Sequence, residues 1–358
     1  MSGLVFVTPT FGRDTGGLGV SAERITRGLV QRVPLSVLQP DRSLPRERFE
    51  ERGKDECGRR RIAFWHGSGP EGGQFLADVI EHLRPTRVAA FGSGDLAQPA
   101  VFAARMIGAD SYVFCRGNDI DLGLFSREAH LIYWALEHCD QIFAVSTEME
   151  RKVHAVAPLA RVTYVPNGVD GSIFTPKEGG KPRKPLRVGL FGEIKRKKGL
   201  EFLLEALDFT RFSLSIQGYL REDAQKLLHG FLTLRPELAA SIDIRPYDVD
   251  PRNVARRYHE VDIVVLPSVH DGMANALLEA MASGKVCVAT AVGGVADLLK
   301  DGENGFVCPP RSVADLAQAL DRAAAASAKE VGRAARATAL EIGSPERELE
   351  TYARLMEL

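Results

Sequence analysis

What the 358-residue chain lacks already narrows its chemistry. Its five cysteines, Cys57, Cys115, Cys139, Cys287 and Cys308, are widely spaced and form no Cys-x-x-Cys pair. That excludes a disulfide framework and a thiolate metal site, and it reads as reduced, mostly buried thiols in a cytoplasmic protein. Excess charge of one sign is missing too. With 46 basic against 47 acidic side chains, the net charge of −1 argues against a dedicated nucleic-acid binder. No apolar run approaches the roughly 18 residues of a membrane span. The N-terminus enters a strand directly, without a basic region, a long apolar core or a cleavage site, which points away from secretion.

What is there centres on Ile263 to Gly284, IVVLPSVHDGMANALLEAMASG. Ile263 to Leu266 reads as a buried strand and is followed by a Pro-Ser-x-x-Asp-Gly loop. A Leu/Ala/Met helix comes next, which Gly284 can close. The N–H groups and positive dipole end at such a helix start favour a phosphate. Asp271 in the loop and Glu279 one turn inside the helix bracket that point, and ionised carboxylates suit sugar hydroxyls because they only accept hydrogen bonds. Nucleotide-sugar binding is the first hypothesis. The plainer reading stands beside it: strand-loop-helix units fill every α/β protein, and an acid near a helix start can simply complement the dipole.

The first half alternates strands with helices, as a doubly wound parallel sheet does. Strands are expected at Leu4–Val7, Val33–Gln39, Ile62–Trp65, Arg87–Phe91, from Tyr112, at Gln141–Val145 and at Arg161–Val165. Thr8 to Gly19 is a Gly-rich loop. Gly17 to Ala22 matches G-x-G-x-x-A, but about nine residues separate it from the strand, so a Gly-Gly loop at Gly16 and Gly17 that lets backbone N–H groups approach a ligand fits better. Asp41 to Arg61 reads as a solvated face or exposed connection. Within it, Arg59 to Arg61 is read either as a solvated patch or as a peripheral attraction to an anionic membrane. The strand from Tyr112 delivers Arg116 and Asp119 to its carboxyl end, where parallel sheets hold ligands.

Gly171 to Pro185, broken by prolines and dotted with lysines, reads as a linker. The second half then repeats the pattern, with strand Leu186–Phe191, the loop Gly192-Glu193-Ile194-Lys195-Arg196-Lys197-Lys198-Gly199 and the helix Leu200–Leu207. Successive cations at a strand end can neutralise a diphosphate. Strands at Ser213–Gln217 and Ser241–Ile244 follow, the latter leading to Arg245 and Tyr247. After the central stretch come strand Val286–Thr290, the turn Gly293-Gly294-Val295-Ala296-Asp297, a helix at Val313–Ala324 and apolar residues at helical spacing in Pro345–Leu358.

The pattern Asp271-x7-Glu279 followed by Ala-Met-Ala-Ser-Gly, with the lysine loop, the Gly16-Gly17 loop and the Pro166-Asn167-Gly168 turn, resembles glycosyltransferase family 4. The resemblance implies a GT-B fold, with two Rossmann-like domains facing a central cleft. Their bounds are 1–170 on the acceptor side and 186–339 for the donor, joined by 171–185, with a 340–358 tail helix crossing back to the first. It implies a retaining transfer from a UDP- or GDP-linked sugar to a saccharide, lipid-linked or small-molecule acceptor, without a metal. It marks Lys198, Asp271 and Glu279 as catalytic. It places Gly16, Gly17, Arg116, Asp119, Lys197, Gly272, Met273, Ala274, Asn275, Ala276 and Leu277 at the donor, and Arg245 and Tyr247 near the base. Three residues depart from the family pattern: Asp271 stands where Glu is usual, Glu193 where Arg holds the diphosphate, and Arg116 where many members carry His. The second cation beside Lys198 is then expected from Lys195, Arg196 or Lys197, or is absent. The expected location is cytoplasmic, including the inner face of the membrane. A sugar-nucleotide epimerase or phosphorylase, an NAD-dependent oxidoreductase and a non-catalytic sugar-binding module remain open.

Overall fold

A computed structural model describes residues 3–12, 16–67, 70–177 and 183–358. Residues 13–15 of the expected Gly-rich loop and 178–182 of the expected linker lie outside them. The chain divides into two compact units. One is Met1–Pro166 with Glu346–Leu358, and the other is Asn167–Pro345.

Unit 1 holds an eight-stranded sheet. Its strands are β1 (Leu4–Val7), β2 (Leu35–Pro40), β3 (Phe49–Lys54), β4 (Arg60–Phe64), β5 (Arg87–Phe91), β6 (Asp110–Cys115), β7 (Gln141–Ala144) and β8 (Val162–Tyr164). They lie in the order β3-β4-β2-β1-β5-β6-β7-β8. All pair in parallel except β3 with β4. Successive residues of β1 point to opposite faces, and both faces are covered, so every residue of β1 is apolar. Val5 and Val7 join one core with Leu38, Phe64 and Leu76, whereas Leu4 and Phe6 join another with Ile25, Phe114 and Phe143. Tyr352 and Met356, at the end of the helix Pro345–Leu355 and just past it, are buried in that second core.

Within Asp41 to Arg61, read as a solvated face or exposed connection, β3 makes the solvated face a strand. It is an edge strand of nearly all polar, exposed residues, so it shows no apolar alternation by which a strand is recognised. Nor are Arg59 to Arg61 a free basic patch. Arg59 is buried, its guanidinium bonded to Asp55, Thr26 and the Glu23 carbonyl. Arg60 pairs with Glu51, and Arg61 donates to Gln39 while lying 4.1 Å over the Phe11 ring. The three arginines thus hold separate local contacts within unit 1.

Unit 2 holds six parallel strands, β9 (Leu186–Ile194), β10 (Phe212–Leu220), β11 (Ile242–Arg245), β12 (Ile263–Leu266), β13 (Val286–Thr290) and β14 (Phe306–Cys308). Their order is β11-β10-β9-β12-β13-β14. The chain therefore lays β10 and β11 on one side of β9 and returns to place β12 to β14 on the other. The crevice where this direction reverses, outside the carboxyl ends of β9 and β12, is where open α/β sheets receive ligands. Residues 171–177 belong to this unit as well, since Arg336 donates to the carbonyls of Gly171 and Phe174. The tail that joins unit 1 begins at Glu346 rather than at 340, because the helix Ala328–Ile342 buries Val331 and Ala335 in unit 2.

Candidate functional site

The loops after β9 and β12 emerge side by side at the switch point, and they carry the lysines and Asp271. After β9 the chain makes a short 3-10 turn, Arg196–Lys198, ending at Gly199. Gly199 has φ +67°, and a Cβ there would sit 1.9 Å from the Pro267 carbonyl oxygen, so only glycine lets the lysine loop lie on the β12 loop. Val269 N–H donates to the Lys197 carbonyl at 2.8 Å, and Thr290 Oγ1 donates to the Ser268 carbonyl at 2.5 Å. The two loops are thereby tied to one another and to β13.

Across that junction Lys198 Nζ donates to Asp271 Oδ2 at 2.5 Å, and Lys197 Nζ lies 3.5 Å from Asp271 Oδ1. All three side chains are largely buried. Burial alone would raise the Asp271 carboxyl, but the two ammoniums and the Gly272 N–H outweigh it and hold the group well below the usual carboxylate range. Lys197 is pushed down, first by burial and then by its lysine neighbours, against the pull of Asp271. Of the other cations in the loop, Lys195 pairs with Glu193, which also holds Arg221, while the backbone N–H of Arg196 donates to Asp223. Lys197 is the one that joins Lys198 at Asp271.

The helix Asn275–Ala282 follows, and no side chain caps its start at Ala274. Two contacts fix this entrance. Gly293, with φ +57°, passes so close beneath that a Cβ would lie 2.1 Å from the Asp271 carbonyl oxygen and 2.2 Å from that of Gly272. Asn167 Nδ2 donates to Asn275 Oδ1 at 2.8 Å and to the Met273 carbonyl at 3.2 Å. Met273 and Leu277 are buried, packed against the interior at the helix start. Inside the helix, Glu279 is half-buried. Tyr258 donates to its Oε2 at 2.9 Å, and burial pushes its carboxyl up to about 7 against that bond. Sequence reasoning missed Tyr258, because an aromatic at the end of an amphipathic helix carries no sign of its partner. It also missed Asn167 as a brace.

Arg245 and Tyr247 stand further off. β11 is two strand spacings from β9, about 10 Å. Arg245 is held by Asp243 at 3.1 Å and Glu260 at 2.7 Å. Four expected residues belong to unit 1. Gly16 precedes the helix Gly17–Leu29, so Gly17 to Ala22 lie inside the helix. Arg116 lies 4.8 Å over the Phe91 ring and is lowered chiefly by burial, with Tyr352 and Asp119 opposing. Asp119 is turned inward. It accepts from the N–H groups of Ser93, Arg116 and Gly117 and from the Ser93 hydroxyl, so it braces the loops after β5 and β6 and has little capacity left for a ligand.

Among the described residues no group of three or more His, Cys, Asp or Glu side chains is arranged to hold a metal. The sequence has two Asp-x-Asp triplets, Asp119 with Asp121 and Asp248 with Asp250, and their side chains have partners of their own: Asp121 pairs with Lys152 at 2.6 Å, Asp248 pairs with Arg257 at 3.2 Å, and Asp250 accepts from the Arg252 N–H at 2.9 Å. No helix among the described residues is long and apolar enough to cross a membrane.

Comparison with known proteins falls on both units. Residues 185–326 match the family described as glycosyl transferases group 1, and residues 16–168 match the glycosyl transferase 4-like domain. A glycogen synthase of Mycobacterium tuberculosis (strain H37Rv) is 28% identical over 223 residues, covering 57% of this chain and 51% of that protein. A D-inositol 3-phosphate glycosyltransferase of Paenarthrobacter aurescens is 31% identical over 182 residues, covering 47% of this chain and 44% of that protein. The chain thus spans about half the length of the curated relatives it matches. Among solved structures, sucrose-phosphate synthase from Thermosynechococcus elongatus superposes with a TM-score of 0.82 at 16% identity, covering 100% of this chain and 98% of that one. Anabaena HepE in complex with UDP-glucose gives 0.79 at 16% identity, covering 99% of each. At such identities these two likenesses establish the fold alone, two Rossmann-like domains of the GT-B type.

Proposed function

Because the chain belongs to the group 1 glycosyl transferases, we propose that it transfers a sugar from a UDP- or GDP-linked donor to an acceptor hydroxyl, with retention of configuration. The acceptor is a saccharide, a lipid-linked sugar or a small polyol. The observation that carries the reading is the pair Lys197 and Lys198 gathered on Asp271 at the start of an uncapped helix, in the switch-point crevice of unit 2.

Two ammoniums against one carboxylate leave one net positive charge at the mouth of the loop. In a partly buried site that charge is weakly screened. A donor's diphosphate sits between these cations and the N–H groups at Ala274 and Asn275. As the glycosidic bond breaks, negative charge grows on the departing diphosphate, and cations already in place stabilise it without reorganising. Asp271 keeps the ammoniums aimed and reaches a sugar hydroxyl. Glu279 accepts from the ribose hydroxyls and fixes the nucleoside. The acceptor approaches the face that the leaving group vacates, which retains the anomeric configuration. The lysines supply the charge that a metal would otherwise bring.

The test is release of nucleoside diphosphate from UDP-glucose and GDP-mannose with and without saccharide acceptors, followed by NMR of the product anomer. Acceptor-dependent release that survives chelator and falls sharply in Lys198→Ala supports the reading. Release that ignores Lys198→Ala, an inverted product, or no release from any donor would overturn it.

A further inference from the structure

Tyr258 closes the helix Pro251–Tyr258 with its ring fully buried. The ring stacks on Phe191 at 4.0 Å between centroids and 14° between planes, and Phe174 meets it edge-on at 6.0 Å. So clamped, the ring stays put, and only the hydroxyl proton is free to turn. The hydroxyl oxygen lies 2.9 Å from Glu279 Oε2 and 3.2 Å from the Ala276 carbonyl oxygen. A phenol has one proton for these two acceptors. When Glu279 is ionised, that proton points to Oε2. When Glu279 carries its own proton, the carboxyl donates to the Tyr258 oxygen and the phenol proton turns to Ala276. Both arrangements satisfy the groups at the junction, so neither charge state of Glu279 leaves a buried polar atom orphaned.

We propose that the Tyr258 hydroxyl is a two-position proton donor that lets Glu279 rest neutral in the empty site and ionise as it receives the donor's ribose hydroxyls. Donor capture is thereby coupled to release of one proton to solvent. The inference rests on the reading of Glu279 as the group that holds the ribose. A neutral carboxyl offers one proton and little acceptor strength, whereas a carboxylate accepts from both hydroxyls of a vicinal diol, so the diol selects the ionised form.

The surroundings agree. Burial pushes Glu279 up to about 7, with the Tyr258 bond acting against it. Burial and Glu279 hold the Tyr258 hydroxyl well above its ordinary value, so it keeps its proton throughout. The other titratable groups nearby are engaged elsewhere or neutral. Lys197 and Lys198 face Asp271, Arg257 faces Asp248, His259 meets the Thr175 carbonyl at 2.7 Å, and the Cys287 thiol on β13 is pushed up to about 12 by burial.

The experiment is titration calorimetry of the full chain with UDP-glucose and with GDP-mannose between about pH 5.5 and 8.5, in buffers of different ionisation heat. The diphosphate diesters of these probes do not titrate in that range. Affinity is expected to fall about tenfold per pH unit below the midpoint, with release approaching one proton per donor on that limb, and to flatten above it. Tyr258→Phe, which keeps the stacked ring, moves the midpoint upward, and Glu279→Gln makes affinity independent of pH. Binding that does not vary with pH, or a Tyr258→Phe that weakens binding by one factor at every pH, overturns the coupling alone. No binding of either probe at any pH sinks the donor-site reading, and the coupling with it.

Discussion

The ammonium of Lys198 and the carboxylate of Asp271, 73 residues apart, meet at 2.5 Å across the switch point of the second sheet. Each residue needs the other for a different reason, and substitution separates the two. Lys198→Ala removes a charge placed for the leaving group, so kcat should fall about 100- to 1000-fold while the donor KM changes less. Asp271→Asn keeps the shape but leaves two largely buried ammoniums facing each other. Its cost should be about 1–3 kcal/mol of stability by denaturant unfolding, below that of a fully buried broken pair. Added pyrophosphate should narrow the gap, since it restores the missing negative charge. Equal kcat for Lys198→Ala, or an Asp271→Asn deficit indifferent to pyrophosphate, would contradict this account.

The two acids of the site respond to pH with opposite sign. Asp271 is held low, so the stability it contributes is present above the ordinary Asp range and lost only as pH falls below it. Glu279 is raised to about 7 from an ordinary 4.5, so the stability of the empty protein is lost as pH climbs between those values. Glu279→Gln cannot ionise. Thermal melts should show it more stable than the parent near pH 8, by up to about 3 kcal/mol, with the advantage gone near pH 4.5. An advantage that grows toward acid would reverse the sign and defeat the assignment.

The sequence exposed those features whose physics is local. The apolar run of β12, the glycine that closes the next helix and the cations at the end of β9 are each legible because strand burial, helix capping and charge density follow from neighbouring residues. Long-range pairing is not written that way. Nothing near Glu193 shows that Arg221 will join Lys195 on its carboxylate, or that Lys197 will join Lys198 on Asp271. Tyr258 is silent for the same reason, since its partner lies 21 residues on. The backbone role of Asp119 was not legible either, because a strand-end carboxylate looks alike whether it faces a ligand or the backbone of its own loop. β3 was hidden by its edge position, where polar residues on both faces replace the expected alternation.

Gly293 marks a place where backbone alone shapes the site. Its φ of +57° and its approach to the Asp271 and Gly272 carbonyls leave no room for a methyl group. Gly293→Ala should displace the Asp271 segment, weaken donor binding and cost more than about 1–3 kcal/mol. Gly230, within the helix Glu222–Leu234, has nothing within 4 Å of a built Cβ. Gly230→Ala should therefore stabilise the chain by about 0.5–1 kcal/mol through helix propensity and leave donor binding alone. Paired melts and donor titrations separate the two, and similar behaviour of both variants would show that the close approach does not matter.

The run Arg59-Arg60-Arg61 gives the last contrast. Three adjacent arginines suggest one basic patch, yet they serve three separate contacts. Arg59 is 3% exposed, and its guanidinium joins Asp55 to the helix Gly17–Leu29 through Thr26 and the Glu23 carbonyl. Arg59→Ala strands the Asp55 charge and opens two acceptors, a loss of about 2–4 kcal/mol in denaturant unfolding. Arg60 pairs with Glu51 across the exposed β3–β4 hairpin, where screening and side-chain entropy leave little net gain, so Arg60→Ala should stay within about 0.5 kcal/mol. Because Arg60 is paired with Glu51 and Arg61 is drawn onto Gln39 and the Phe11 ring, sedimentation with anionic phospholipid vesicles should not distinguish Arg60→Ala or Arg61→Ala from the parent. Salt-sensitive vesicle binding that either variant abolishes would restore the membrane reading and show that the pairs open in solution.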